Sequence, residues 1–410
     1  MAALFVGVAA TNVFMVCAST VSTLIGARLL GPAWSGLPNA TGVAGTAAGA
    51  LALSAVMRRA GTRAALAAGY TVGTAGAAVA TWAAAGDRLG WLITGMVLLG
   101  VGNGGAQLSR YSAADLYPPA RRGLATATIV WAGTVGALIG PNLMAPTSSL
   151  AQRLGLPPDT GSYLLATAGS VLAALVSALL PARRVSPHPA GVAGRGAPRT
   201  GTAALWSRHE VRAAVVTMMV AQVTMVAVMT MTPLYMTAHE ETLGTLGAVL
   251  SGHMVGMFAL APLSGVFADR FGGRSTALLG VALMTASVAF TAVLPRGGHV
   301  LLFAAMFLLG YGWNLMFVAG SSLLTTSLEA ADRLRVQGGV DALSWGASAL
   351  ASVVAGLVLA GGSFAVLSVF AGVLTLLPLL LLRRRTGPLR EQPQPSRVRH
   401  ENGDAAPPRT

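Results

Sequence analysis

Apolar segments about as long as a bilayer is thick follow one another along almost the whole chain, and no other feature constrains the fold so strongly. They lie at 2–25, 37–57, 64–85, 90–109, 124–146, 162–181, 212–236, 243–267, 276–295, 299–324, 337–361 and 363–382. A helix needs roughly 20 apolar residues to cross the hydrocarbon layer. That layer has no water to satisfy peptide groups, so a crossing segment must be a helix or a strand of a closed barrel. These segments are too long and too uniformly apolar for barrel strands. Composition agrees, with 54% hydrophobic and 10% charged residues, where soluble domains carry roughly 25% charge. The expectation is an all-α membrane protein with twelve transmembrane helices.

Charge sets the expected orientation. All 27 basic residues are arginine, and only Arg28, Arg88, Arg153 and Arg296 fall on the side opposite the N-terminus. Basic loops stay in the cytoplasm, which predicts a cytoplasmic-membrane protein, multi-pass, with both termini inside. The formal net charge of +14 then needs no nucleic-acid partner, because topology and anionic lipid account for it. The first segment has no basic region before it and is too long for the apolar core of a signal peptide, so it reads as helix 1. Cys17 is the single cysteine, which excludes an intramolecular disulfide.

Between the sixth and seventh segments, residues 183–208 turn rich in Pro, Gly and Arg and lose all apolar periodicity, the mark of a linker. The predicted organisation is a six-helix bundle over 1–182, a cytoplasmic linker over 183–208, a second six-helix bundle over 209–383 and a disordered tail over 384–410. An internal repeat supports the division. Arg59, Gly61 and Arg63 recur 211 positions later as Arg270, Gly272 and Arg274, and "GVGN" at 100 recurs as "GYGWN" at 310. Two parallel six-helix repeats related by an axis along the membrane normal form a known transporter architecture with its site between the halves.

The stretch "GVFADRFGGR" places Gly265, Asp269, Arg270, Gly272 and Arg274 in the pattern G-x-x-x-D-R-x-G-[RG]-R between helices 8 and 9. On these residues the chain resembles the major facilitator superfamily, and the resemblance runs from helix 1 to helix 12. It implies two pseudo-symmetric six-helix halves and a conformational gate. A degenerate copy between helices 2 and 3 carries Ser54 in place of the glycine and Arg58 in place of the aspartate, followed by Arg59, Gly61 and Arg63. A carboxylate at a helix end can hold a partner in one conformation and lose it in another, which biases a two-state equilibrium. Arg58 is expected to face Asp341 of helix 11 as a gate of reversed polarity. In helix 5, Gly136, Gly140 and Pro141 are similar to the family's antiporter motif, with close packing at the glycines and a bend at the proline.

Ionisable groups inside a membrane are costly and usually functional. Asp341 and His253 are the two placed within a span. Polar residues expected to line the substrate cavity are Asn12, Asn103, Gln107, Gln222, His253 and Asn314. Met225 and Met229 share one face of helix 7, and His253 and Met257 have the same spacing on helix 8. Thioethers and imidazole suit copper(I), and the set resembles that of facilitators importing copper for cytochrome oxidase assembly; methionine is equally a gap filler in apolar packing.

No nucleophile set, phosphate loop or nucleotide site is visible, so the chain is expected not to be an enzyme and to carry no cofactor, with copper only as a substrate. The leading expectation is proton-coupled export of a small organic compound by a monomer. Copper uptake is the alternative, and a membrane sensor or assembly factor without transport is a third class.

Overall fold

The computed structural model describes residues 1–115, 122–180, 202–293, 298–328 and 330–382, which are helical with short turns and contain no strand. Helices 1 to 4 are Ala2–Leu30, Leu37–Ala60, Thr62–Ala85 and Leu89–Asp115. Helix 5 is built from Arg122–Ile139, a 3-10 turn at Gly140–Leu143 and Met144–Arg153, and helix 6 is Thr160–Ala178. Helix 7 is His209–Ala238, helix 10 His299–Ser327, helix 11 Ala330–Gly361, and helix 12 Phe364–Thr375 continued by Pro378–Leu382. The linker beyond Leu180 to 201 and the tail from 383 lie outside the described residues; Thr202–Ser207 is a short helix leading into helix 7.

Among the described residues, ten helical stretches are long and apolar enough to cross a membrane. The remaining two crossings are broken by proline chemistry. Helix 8 starts as Leu243–Met254, passes through a π-helical turn at Val255–Ala259, and resumes at Ala261. Pro262 has no N–H and its ring crowds the carbonyl four residues back, so the turn before it widens. The ribbon Ala261–Ala292 is interrupted at Gly272, φ 79° and ψ 159°, which separates the end of helix 8 from helix 9. Pro141 breaks helix 5 in the opposite sense, inside a tighter 3-10 turn at Gly140–Leu143.

The first six helices pack among themselves, with helix 4 against helices 2 and 3 and helix 1 against helices 5 and 6; the last six do likewise around helix 10. The two ends of the bundle differ in charge. One carries Arg58, Arg59, Arg63, Arg208, Arg270 and Arg274 and is called the arginine face. The far face carries Arg28, Asp87, Asp159, Glu241 and His299. Arg28 joins Asp87 at 2.7 Å and also pairs with Asp159, tying the end of helix 1 to the loops 3–4 and 5–6. Glu241 and His299 approach to 3.6 Å between loops 7–8 and 9–10. Trp34, Trp82 and Trp91 are exposed at this end, where amphipathic rings meet the headgroup layer, and the Arg88 guanidinium lies 4.0 Å over the Trp82 ring.

Candidate functional site

The far face is where the two halves lock. Asn39 of helix 2 donates from Nδ2 to Ser352 Oγ of helix 11 at 2.9 Å, and its Oδ1 accepts from Ser19 Oγ of helix 1 at 2.6 Å. Asn142 of helix 5 donates from Nδ2 to Ser251 Oγ of helix 8 at 2.7 Å. Beside each latch the backbones touch: a Cβ on Gly36 would collide with the Ser352 carbonyl, and one on Gly247 would stand 2.6 Å from the Pro141 carbonyl. Gly36 and Gly247 are 211 residues apart, and so are Pro141 and Ser352. The repeat offset read from the arginine loops therefore also relates the two contacts that close the far face.

Toward the arginine face helix 11 turns exposed at Leu343 and Gly346, and a Cβ on Gly346 or Gly265 would meet nothing within 4 Å. Gly61 and Gly272 take the same left-handed conformation, φ 87° and 79° with ψ 169° and 159°, accessible to glycine without Cβ strain. Asp269 and Arg270 are exposed, Arg274 is half-buried, and among the described residues Asp269 forms no ion pair. The Arg270 guanidinium lies 5.5 Å from the Phe271 ring centroid. Arg59 and Arg63 are exposed; Arg58 reaches Ser54 Oγ at 3.4 Å. The side chain of Asp341 lies outside the described residues, and with it the expected Arg58 gate.

Of the six polar residues expected in the cavity, the structure places three inside one half or the other. Asn103 is buried and donates to Thr46 Oγ1 at 3.2 Å between helices 4 and 2. Asn314 is buried and donates to the Met257 carbonyl at 2.7 Å, satisfying an oxygen of the π-helical turn. His253 is fully buried, its Nδ1 2.9 Å from the Met306 carbonyl of helix 10. A carbonyl only accepts, so that nitrogen carries the proton. His253 does not line a cavity, because helix 10 crosses helix 8 there: a Cβ on Gly310 would collide with the His253 carbonyl. Asn12 bonds its own helix at Val8 and backs onto helix 5 at Gly133 and Gly136. Gln107 is half-buried on helix 4.

Gln222 is half-buried on helix 7. Its Oε1 accepts from Trp313 Nε1 at 2.9 Å and its Nε2 donates to Ser348 Oγ at 2.8 Å, joining helices 7, 10 and 11. Trp313 stacks on Phe317 with centroids 5.0 Å apart and meets Phe258 edge-on at 6.3 Å. These rings are half-buried. The sequence reading missed them, although a tryptophan mid-membrane, away from the interfaces where tryptophans collect, was the available signal.

The expected metal set is not gathered. Met225 and Met257 are buried and Met229 half-buried, but helix 10 packs against both helix 7 and helix 8, which hardly touch each other. The methionine pair and the His253 pair thus sit on either side of an intervening helix. Gly136 and Gly140 bring helix 5 against the Ala9 and Val13 carbonyls of helix 1, and Cys17 Sγ donates to the Gly140 carbonyl at 2.9 Å.

Ion-pair ties on the far face, two contacts between the halves that recur at the repeat offset, and a half-buried polar and aromatic cluster within the second half describe a machine for changing access. Comparison with known proteins decides the family. The family model described as Major Facilitator Superfamily matches residues 237–407. The uncharacterized MFS-type transporter YdeG of Bacillus subtilis (strain 168) is 32% identical over 87% of this chain and 85% of its own length. The chain belongs to the major facilitator superfamily. Among other facilitators, the riboflavin transporter RfnT of Brucella anthropi is 28% identical over 89% of this chain and 90% of its own. The solved D-xylose-proton symporter superposes with a TM-score of 0.71 at 15% identity, covering 93% of this chain and 95% of that one, which shows a shared facilitator fold. Family and fold point to a transporter and not an enzyme.

Proposed function

We propose that this facilitator moves a small uncharged organic solute across the cytoplasmic membrane by alternating access, with the arginine face in the cytoplasm. The single observation that carries the reading is the two-fold-related closure of the far face, Gly36 against the Ser352 carbonyl and Gly247 against the Pro141 carbonyl, with the Asn39–Ser352 and Asn142–Ser251 hydrogen bonds beside them. Contacts repeated at the internal offset can open together when the halves rock, which is what a site reachable from each side in turn requires. In this reading the structure is the inward-facing state. Asp269, without an ion pair among the described residues, fits, since the arginine-face gate is then open. One chain carries both halves of the pathway, so a monomer suffices.

Proton-linked export is the directional part of the proposal. Its support is the likeness of Gly136, Gly140 and Pro141 to the antiporter motif, now seen as a seam pressed onto helix 1. RfnT supports an organic solute. No arrangement of Met225, Met229, His253 and Met257 favours copper over it.

The test uses Asn39→Cys with Ser352→Cys in a Cys17→Ala background, in sealed cells. Alternating access predicts that the thiol introduced at position 39 reacts with a membrane-impermeant maleimide from outside in a fraction of molecules, and that oxidative cross-linking abolishes this reactivity. A thiol at that position unreachable from outside in every molecule would sink the reading. A reporter fused at Thr410 that is active only outside would overturn the orientation.

A further inference from the structure

From Gln222, Trp313 and their neighbours we infer the substrate class: a flat, uncharged heteroaromatic ring with a lactam or imide edge. The inference rests on the transport reading above and deepens it. A carboxamide offers two N–H donors and an oxygen with two lone pairs. Gln222 spends one N–H on Ser348 and one lone pair on Trp313. One N–H and one lone pair remain for a substrate, and a carboxamide meets another amide along the edge that carries both. A ring bearing adjacent C=O and N–H groups pairs with that edge in two parallel hydrogen bonds, as one amide pairs with another.

The surroundings select the rest of the molecule. Trp313, Phe317 and Phe258 supply aromatic faces and edges on helices 10 and 8, which favour offset or edge-on contact with another ring. Met219, one turn before Gln222, presents a polarizable sulfur that accepts from Ser344 Oγ at 3.6 Å, and thioethers sit well against ring edges. Ser348, held by its own bond to the Ser344 carbonyl at 2.7 Å, fixes the Gln222 amide plane so that its free edge is preorganised.

Charge is absent at this depth. Helix 7 carries no acidic or basic side chain between Arg212 and His239, helix 10 none after His299, and helix 1 none before Arg28. His253 is turned into helix 10. Asp341 is seven residues from Ser348 on helix 11, roughly 10 Å along the axis at about 1.5 Å per residue. A charged solute would be left without a counter-ion in a low-dielectric site, which is costly; a sugar can lay a C–H face on these rings but carries no coplanar C=O and N–H pair for the Gln222 edge.

The test is equilibrium binding to the purified protein in nanodiscs, with lipid-only discs as blanks. The probes are lumichrome, a flat uncharged ring with an imide edge, and its N1,N3-dimethyl derivative, which has lost both ring N–H groups. Wild type should bind lumichrome saturably and the methylated probe at least tenfold more weakly. Gln222→Leu should lose about tenfold for lumichrome and bind the two probes alike, and Trp313→Ala should weaken both. The methyl comparison on wild type needs no variant to fold. No saturable binding, equal binding of both probes by wild type, or lumichrome binding unchanged in Gln222→Leu and Trp313→Ala would each overturn the assignment. Loss of lumichrome binding in Phe364→Ala alone would overturn it too, placing the probe in the separate far-face cavity of about 530 Å³ beside Tyr235 and Phe364. Thiol reactivity at position 39 is measured without any solute, so the substrate class can fail while alternating access stands, and the reverse.

Discussion

Gly36 meets the carbonyl of Ser352 backbone to backbone, and 211 residues further on Gly247 meets the carbonyl of Pro141 in the same way. Each glycine is required by the approach, since a Cβ at either place would stand inside the van der Waals distance of an oxygen that belongs to the other half. Gly36→Val and Gly247→Val should therefore prop the far face open. In the Asn39→Cys reporter background each should raise the fraction of molecules reactive from outside severalfold. Gly90→Val, where a Cβ meets nothing within 4 Å, should leave it unchanged. If Gly36→Val and Gly247→Val behave in opposite senses, the two contacts are not equivalent parts of one gate.

Removing the latches should act on the same equilibrium more gently. A net hydrogen bond is worth about 1 kcal/mol, or roughly a fivefold shift, and Asn39 is the more buried of the two donors. Asn142→Ala alone, read by spin-label distances across the far face, should shift the population by less than Asn39→Ala. The double variant should shift it by the product of the two, because the sites are separate and share no partner. A double variant no different from Asn39→Ala would make Asn142 a bystander.

Asp269 has no ion-pair partner among the described residues, so Asp269→Asn should leave thermal stability of the far-closed form unchanged. If the carboxylate finds its partner only when the arginine face closes, the substitution should lower outside reactivity of a far-face cysteine severalfold. A large fall in melting temperature with unchanged reactivity would show a structural role in this state.

His253 is held as a crossing element between helices 8 and 10. His253→Leu should lower the melting temperature by a few degrees, the loss of about 1 kcal/mol for its bond to Met306, while leaving lumichrome binding and thiol reactivity at position 39 in place. Abolished access change at normal stability would instead give the ring a part in coupling.

The Arg28 ties reach solvent at both carboxylates, and exposed pairs contribute about 1 kcal/mol or less. Arg28→Ala should cost no more than that. Raising salt should weaken the wild type by a similar amount and the variant hardly at all.

The linear pattern of residues was enough to give the succession of crossings, the division into two halves and their offset, because a bilayer demands apolar runs of fixed length and a duplication leaves its spacing in glycines and arginines. It carried no information on where a polar side chain turns. His253, Asn103 and Asn314 look like cavity residues in a linear string, yet each is spent inside its own half: two bridge helices side chain to backbone, one side chain to side chain. The methionines looked like a site because helices 7 and 8 are neighbours in sequence, and the folded chain puts helix 10 between them. The far-face gate was invisible for the same reason. Glycine in a membrane helix is common, and what makes Gly36 and Gly247 matter is the carbonyl across the interface, which folding alone brings within reach.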